Sequence, residues 1–125
     1  MKPDKFTVKS RLKSFRYALS GLKSLLKYEH NSRIHLIAAI VAIILGIILK
    51  INYLEWSVLI IVIGMVFIAE LFNSSLESLA DHIDTEWNEY IMKSKDYSAA
   101  AVLISAIIAL VAGCIIFLPK LWSFK

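Results

Sequence analysis

Three acidic side chains recur at helical spacing directly after a long apolar run, residues 56–69. At about 100° per residue on a helix, the polar side chains of this segment fall on one narrow face. They are Glu70, Asn73, Ser74, Glu77 and Asp81. An acid at the centre of a bilayer costs roughly 2.5–3.5 kcal/mol on insertion scales, so a carboxylate beside lipid is more often functional than structural. This polar face is therefore the first candidate site.

Two carboxylates at different depths could divide proton transfer and metal binding between them. Glu77 follows Glu70 by seven residues, which places it roughly 10 Å further along a helix. Glu70 could take a proton from a hydroxyl group, and Glu77 offers the hard oxygen that Mg²⁺ prefers beside substrate phosphates. Glu29, just before the first apolar run, could complete a metal site with Glu77. An ion pair between Glu29 and Arg33 accounts for that acid equally well.

A cation and an acid also precede the last apolar run. Lys95 is placed to neutralise phosphate, and Asp96 could hold Lys95 or cap the helix, as Ser98 could. The sequence contains neither the GxxxxGKS or GxxxxGKT phosphate loop nor the glycine loop of protein kinases. Any phosphoryl transfer must therefore use another scaffold and depend mainly on positioning and electrostatics.

The composition assigns these residues to a membrane protein. Of the 125 residues, 58% are hydrophobic, which is too many for an ordinary soluble domain of this size. A spanning helix needs about 20 mostly apolar residues, and residues 34–49, 56–76 and 98–118 meet or approach that length. We expect an all-α fold in which residues 1–125 form a single membrane domain.

The N-terminal segment, residues 1–30, predicts an amphipathic helix at the membrane surface. Its apolar residues recur at alternating intervals of three and four, and its cations lie mostly off that stripe. Nine of the fourteen Lys and Arg residues precede Ile34, beside an apolar run, which favours anionic lipid headgroups over nucleic acid as the partner. The positive-inside rule then places this segment and residues 81–95 in the cytoplasm, with Lys120 and Lys125 outside.

Small residues recur at every fourth position in two of the apolar runs. They are Ala38, Ala42 and Gly46 in the first and Ala101, Ser105, Ala109 and Gly113 in the third. Such ladders allow helices to approach each other closely. Because three spans can hardly shield several carboxylates from lipid, we expect protomers to associate with their polar faces turned inward or towards a water-filled cleft.

Two segments resemble the signatures of the small prokaryotic integral-membrane lipid kinases, the diacylglycerol kinase and undecaprenol kinase family. The segment from Glu70 to Asp81 looks like E-x-x-N-S/T-A/S-I/L-E-x-x-x-D, and Lys95-Asp96-Tyr97-Ser98-Ala99-Ala100-Ala101-Val102 looks like the second signature. The resemblance implies ATP-dependent transfer of the γ-phosphoryl group to the hydroxyl of a lipid alcohol. It also implies a homotrimer in the bacterial cytoplasmic membrane, with a surface helix and three transmembrane helices per protomer and active sites shared between neighbours.

The resemblance further implies roles for individual residues. Glu70 would be the catalytic base and would contact the lipid together with Trp56 and Ala99. Glu29 and Glu77 would bind the Mg²⁺ that accompanies ATP. The nucleotide contacts would be Tyr17, Asn73, Glu77, Glu86, Asn88, Lys95 and Asp96.

Two positions depart from other members of the family. Ser10 stands where some members have arginine, and His35 stands where some have glutamate. His35, the segment Leu54-Glu55-Trp56 and the segment from Ile115 to Leu121 look more like the undecaprenol-kinase branch. The favoured lipid is therefore undecaprenol, with diacylglycerol as the other candidate.

Two rival interpretations come from other functional classes. A small oligomeric transporter or channel would use intramembrane carboxylates as ion or proton sites, and a membrane adaptor would have no catalytic role. A transporter predicts acids deep in the bilayer, whereas these acids lie at the expected cytoplasmic end near Lys95.

Overall fold

The computed structural model of the chain describes residues 5–83 and 86–123, in which all regular secondary structure is helical. The four helices are α1 (Val8–Tyr28), α2 (His30–Ile48), α3 (Tyr53–Ile83) and α4 (Glu89–Ser123). The last three are long and apolar enough to span a membrane. The prediction of an all-α fold with three such helices is therefore confirmed. Residues 1–4 of the predicted surface helix and Lys125 lie outside the described residues.

The helices extend beyond the apolar runs because backbone hydrogen bonding continues where the apolar residues stop. α3 begins ahead of its apolar run at a capping box. The Asn52 side chain accepts a hydrogen bond from the Glu55 N–H at 3.0 Å, and the Glu55 carboxylate accepts one from the Asn52 N–H at 2.9 Å. α4 likewise begins early, where Asn88 Oδ1 accepts from the Tyr90 N–H at 2.9 Å. Both helices therefore carry polar residues past the apolar region in regular geometry.

One residue, Glu29, separates α1 from α2, and its backbone is extended, with φ −103° and ψ 112°. Arg33, one turn into α2, closes the end of α1. Its Nε donates to the Leu26 carbonyl at 2.8 Å, and its guanidinium also donates to the Lys27 carbonyl. A cation at this position complements the dipole of α1. The bend therefore places Glu29 at the corner between two helices.

α3 and α4 run antiparallel and pack against each other most extensively, whereas α2 packs much less against either. One end of the bundle holds a small core of buried side chains, namely Ile51, Leu59, Ile116 and Phe117. At the same end, Lys120 Nζ lies 3.2 Å from the Glu55 carboxylate and joins α4 to α3. We call this region, residues 46–59 and 113–120, the core end.

The core end leaves room only for glycine at position 46. A Cβ on Gly46 would lie 2.8 Å from Cη2 of the Trp56 ring and 3.1 Å from Cδ1 of Ile51. Carbon atoms pack at roughly 3.5–4.0 Å, so a larger residue would displace the ring. α2 therefore meets the start of α3 through Trp56.

Many apolar side chains point outward from the single chain. Ile37, Ile60 and Leu110, one on each of the three long helices, are 63%, 66% and 69% exposed. An apolar surface of this extent needs lipid or further protein chains to cover it. The exposure therefore agrees with helices that lie in a membrane.

Candidate active site

Glu70 is the buried acid at the opposite end of the bundle. We call this end the carboxylate end; it also holds Glu29, His35, Asn73, Glu77, Asp81, Lys95 and Ser98. The Glu70 side chain is 3% exposed and faces α2, where His35 Nε2 lies 3.2 Å from Glu70 Oε1. This contact does not form a regular hydrogen bond, so Oε1 is a buried acceptor without a donor among the described residues. Glu70 is the only charged residue that is buried in the described part of the chain. A buried oxygen of this kind calls for a functional explanation.

Two further carboxylates, Glu29 and Glu77, lie close enough to Glu70 for their negative charges to act on it. Both are partly buried, and neither forms an ion pair within residues 5–83 and 86–123. Arg33, the alternative partner for Glu29, is bound to the carbonyls at the end of α1 instead. Both carboxylates therefore remain available to bind a cation.

The donor set at this end suits a hard divalent cation. Mg²⁺ takes oxygen ligands and is usually held by one or two carboxylates together with substrate phosphates. Glu29 and Glu77 can supply two such carboxylates from different parts of the chain. Among the described residues, no three His, Cys, Asp or Glu side chains converge as a complete metal site. The remaining ligands would therefore come from phosphates or water.

α4 supplies the cation of the carboxylate end. Lys95 Nζ lies 2.5 Å from Asp81 Oδ1 and within electrostatic reach of Glu77. Nearby, Ser98 Oγ donates a hydrogen bond to Asn73 Oδ1 at 2.8 Å. These two contacts join α4 to α3 and hold Lys95 near Asp81 and Glu77. A lysine at this position can bind phosphate oxygens.

The sequence did not predict the contacts that three residues of this cluster make. His35 contacts Glu70, Asp81 contacts Lys95, and Ser98 contacts Asn73. The helical periodicity does place Asp81 on the polar face. His35 and Ser98 meet residues on other helices, and spacing within one helix carries no signal for such contacts.

Four further residues, Tyr17, Glu86, Asn88 and Asp96, were predicted to contact the nucleotide. Tyr17 is 71% exposed on α1, and Asp96 is exposed on α4. Glu86 is exposed shortly before α4. The Asn88 side chain caps α4 by accepting from the N–H groups of its first turn. The nucleotide roles of these residues stay predictions.

The two predicted lipid contacts besides Glu70 lie far apart. Ala99 is exposed on α4, directly after Ser98. Trp56 lies at the core end, fourteen residues before Glu70 on the same helix, which is a distance of roughly 21 Å. Only an extended lipid chain could contact both Trp56 and Glu70.

An apolar cavity of about 560 Å³ extends between α2, α3 and α4. His35 lines one end of it, and Leu45 and Phe117 line the other. Several small residues of the two predicted ladders line this space, among them Ala38, Ala42, Ala109 and Gly113, although Ala42 also packs against the core cluster. Because α2 and α4 scarcely touch, these side chains leave the gap unfilled. The result is an apolar cavity that extends to His35, beside Glu70, and suits an apolar chain.

Known proteins are similar to this chain along most of its length. The family model described as prokaryotic diacylglycerol kinase matches residues 16–117. The undecaprenol kinase of Bacillus subtilis is 34% identical over 109 residues, which cover 87% of this chain and 89% of the relative. The diacylglycerol kinase of Escherichia coli is 31% identical over 112 residues, covering 90% and 88%. That of Helicobacter pylori is 35% identical over 99 residues, covering 79% and 77%.

Proposed function

Since this chain belongs to the prokaryotic diacylglycerol kinase family of lipid kinases, we propose that it transfers the γ-phosphoryl group of ATP to the hydroxyl of a membrane lipid alcohol. The observation that carries this proposal is the position of Glu70. It is buried beside His35, where an apolar cavity meets a cluster of charged side chains. The apolar cavity suits the hydrocarbon chain of a lipid alcohol, and the charged cluster suits the phosphates of a nucleotide.

Glu70 accepts the proton of the lipid hydroxyl as the hydroxyl oxygen attacks the γ-phosphorus. A bond forms between that oxygen and phosphorus, the bond from phosphorus to the bridging oxygen breaks, and ADP leaves with the electron pair. Lys95 neutralises phosphate charge after exchanging Asp81 for a phosphate oxygen. Glu29 and Glu77 would hold Mg²⁺, which when bound neutralises further charge on the phosphates.

We favour undecaprenol as the substrate, with diacylglycerol as the other candidate. Two observations support this preference. His35, the segment Leu54-Glu55-Trp56 and the segment from Ile115 to Leu121 resemble the undecaprenol-kinase branch, and one relative is named undecaprenol kinase. Both lipids carry one hydroxyl and long apolar chains. A chain in the cavity would bring the hydroxyl to Glu70 and extend towards the core end, where Trp56 lies. In this way Glu70 and Trp56 could both contact one lipid molecule.

The chain would lie in the bacterial cytoplasmic membrane with its carboxylate end facing the cytoplasm, where ATP is found. Leu12, Phe15 and Leu19 on α1 are 66%, 66% and 52% exposed, and cations such as Lys13 and Arg16 stand beside them. A helix of this composition suits the membrane surface, with its apolar stripe in lipid and its cations near anionic headgroups.

The assembly would be a homotrimer with active sites shared between protomers. Tyr17 and Asp96 are exposed and lie outside the cluster around Glu70 within one chain. A neighbouring protomer could bring such residues to the nucleotide. It would also cover part of the exposed apolar surface of the long helices.

A small transporter or channel that uses intramembrane carboxylates is the alternative function. Passage of ions or protons requires polar groups along the path. The cavity is lined by hydrocarbon side chains and glycine, apart from His35 and Cys114. The absence of acids from the lining of the cavity therefore favours the kinase.

The function can be tested with the purified chain in detergent micelles. The chain is incubated with γ-labelled ATP, Mg²⁺ and either undecaprenol or diacylglycerol, and label in the lipid is measured. We expect label in the lipid, more rapidly with undecaprenol, and none after Mg²⁺ is chelated. Label in neither lipid would contradict the proposed function, whereas faster labelling of diacylglycerol would reverse only the substrate preference.

A further inference from the structure

The side chain of His35 lies beside the unpaired oxygen of Glu70. Its Nε2 lies 3.2 Å from Glu70 Oε1, its side chain is 23% exposed, and it also lines the apolar cavity. No other group in the described part of the chain donates to Oε1. The imidazole therefore lies beside the carboxylate and also borders the cavity proposed for the lipid.

A catalytic base works best when another group orients it. An N–H held against one oxygen of a carboxylate fixes the plane of that group and leaves the second oxygen for the substrate. Imidazole offers an N–H at this position both in its Nε2–H tautomer and in its charged form. The negative charges of Glu29 and Glu77 also act on Glu70, so a donor on α2 offsets their repulsion.

We propose that His35 is the positioning residue of Glu70. Its Nε2–H binds Oε1 and thereby aims Oε2 at the hydroxyl of a lipid alcohol at the head of the cavity. A small rotation of the imidazole turns the 3.2 Å approach into an aligned hydrogen bond. This inference rests on the proposed lipid-kinase function and adds a residue of α2 to its machinery.

The test compares two side chains of similar size that differ in their N–H group. His35→Gln keeps a donor near the position of Nε2, whereas His35→Met fills a similar volume without one. We expect His35→Met to lower kcat for lipid phosphorylation by about 10–100-fold, as loss of orienting groups does at other sites, with KM for ATP unchanged. His35→Gln should retain most of kcat. His82→Met, an exposed position at the end of α3, is the control and should match the wild type.

A second comparison shows whether His35 acts through Glu70. In Glu70→Asp the carboxylate retracts by one methylene and moves away from the imidazole. Adding His35→Met in that background should therefore lower kcat much less than it does in the wild-type background. An equal loss in both backgrounds would overturn the proposal. So would full kcat in His35→Met, or losses in His35→Gln as large as those in His35→Met.

Folding and function are controlled separately. Size-exclusion chromatography and ATP binding establish that each variant assembles, and His35→Leu replaces His35→Met if the methionine variant does not. A wild-type chain that labels neither lipid would reject the proposed function itself. An active wild-type chain whose kcat does not depend on His35 would reject only this inference.

Discussion

The two ends of the bundle each join α3 to α4 through an acid and a lysine, yet they balance charge differently. At the core end, Glu55 lies 3.2 Å from Lys120 and also accepts a hydrogen bond from the Asn52 backbone. Leu59 and Phe117 are buried at the same end. Both charged groups have partners, so this end serves to hold the helices together.

At the carboxylate end, two acids of the described residues have no ion-pair partner. Lys95 pairs with Asp81, but Glu29 and Glu77 stay unpaired, and the charges of both act on Glu70, which lies beside His35. Unbalanced buried charge costs stability and is retained where it serves a purpose. A substitution at the carboxylate end should therefore change catalysis, and one at the core end should change stability.

Glu77→Gln should weaken Mg²⁺-dependent ATP binding by at least about 100-fold. Loss of a group that only orients a metal ligand lowers metal affinity by about 10–100-fold. Glu77 is proposed as a ligand itself, so its loss should have a larger effect. Titration of the purified chain with ATP at fixed Mg²⁺ measures the Kd. Glu55→Gln is the matching change at the core end and should leave the Kd unchanged. An equal increase of the Kd in both variants would contradict the proposed difference between the two ends.

Lys95→Met should lower kcat/KM for ATP by about 100-fold, because it removes a donor aimed at phosphate charge. Steady-state kinetics with varied ATP measure the effect. Lys120→Met removes the lysine of the core end and should leave kcat/KM near the wild-type value. A comparable drop in Lys120→Met would mean that both lysines act only through the fold.

Gly46→Ala should lower the free energy of unfolding by about 1–3 kcal/mol, the usual cost of overpacking. The added Cβ would meet Trp56 at 2.8 Å. Gly64→Ala is the control, because a Cβ there meets nothing within 4 Å, and it should be neutral or stabilising. Denaturant titrations measure both variants. Loss of kcat in folded Gly46→Ala, at unchanged stability, would contradict the structural role of the core end.

The helices and the polar face of α3 could be predicted because both depend on local spacing. An apolar run of sufficient length predicts a spanning helix, and intervals of three and four residues define a face. The contact of His35 with Glu70 and that of Ser98 with Asn73 could not be predicted in the same way. Each depends on how one helix is rotated and shifted against another, and that arrangement results from packing along its whole length.

At the core end, the packing of Trp56 is another contact that spacing within one helix could not predict. The place of Trp56 at the start of an apolar run is typical of an interfacial aromatic residue, yet its ring packs closely on Gly46. Gly46 of the first ladder of small residues does meet another helix closely, at Trp56. Ala109 and Gly113 of the other ladder line a cavity, because α2 and α4 scarcely meet. Small side chains permit an approach without enforcing it.

The central claim is that reactivity resides at Glu70 rather than in the acids of α3 in general. The most direct test is the initial rate of phosphoryl transfer from labelled ATP to undecaprenol by equal amounts of wild type, Glu70→Gln and Glu55→Gln. We predict a rate at least about 100-fold lower for Glu70→Gln, as loss of a general base entails, and a rate near that of the wild type for Glu55→Gln. Full activity in an assembled Glu70→Gln variant would contradict the claim.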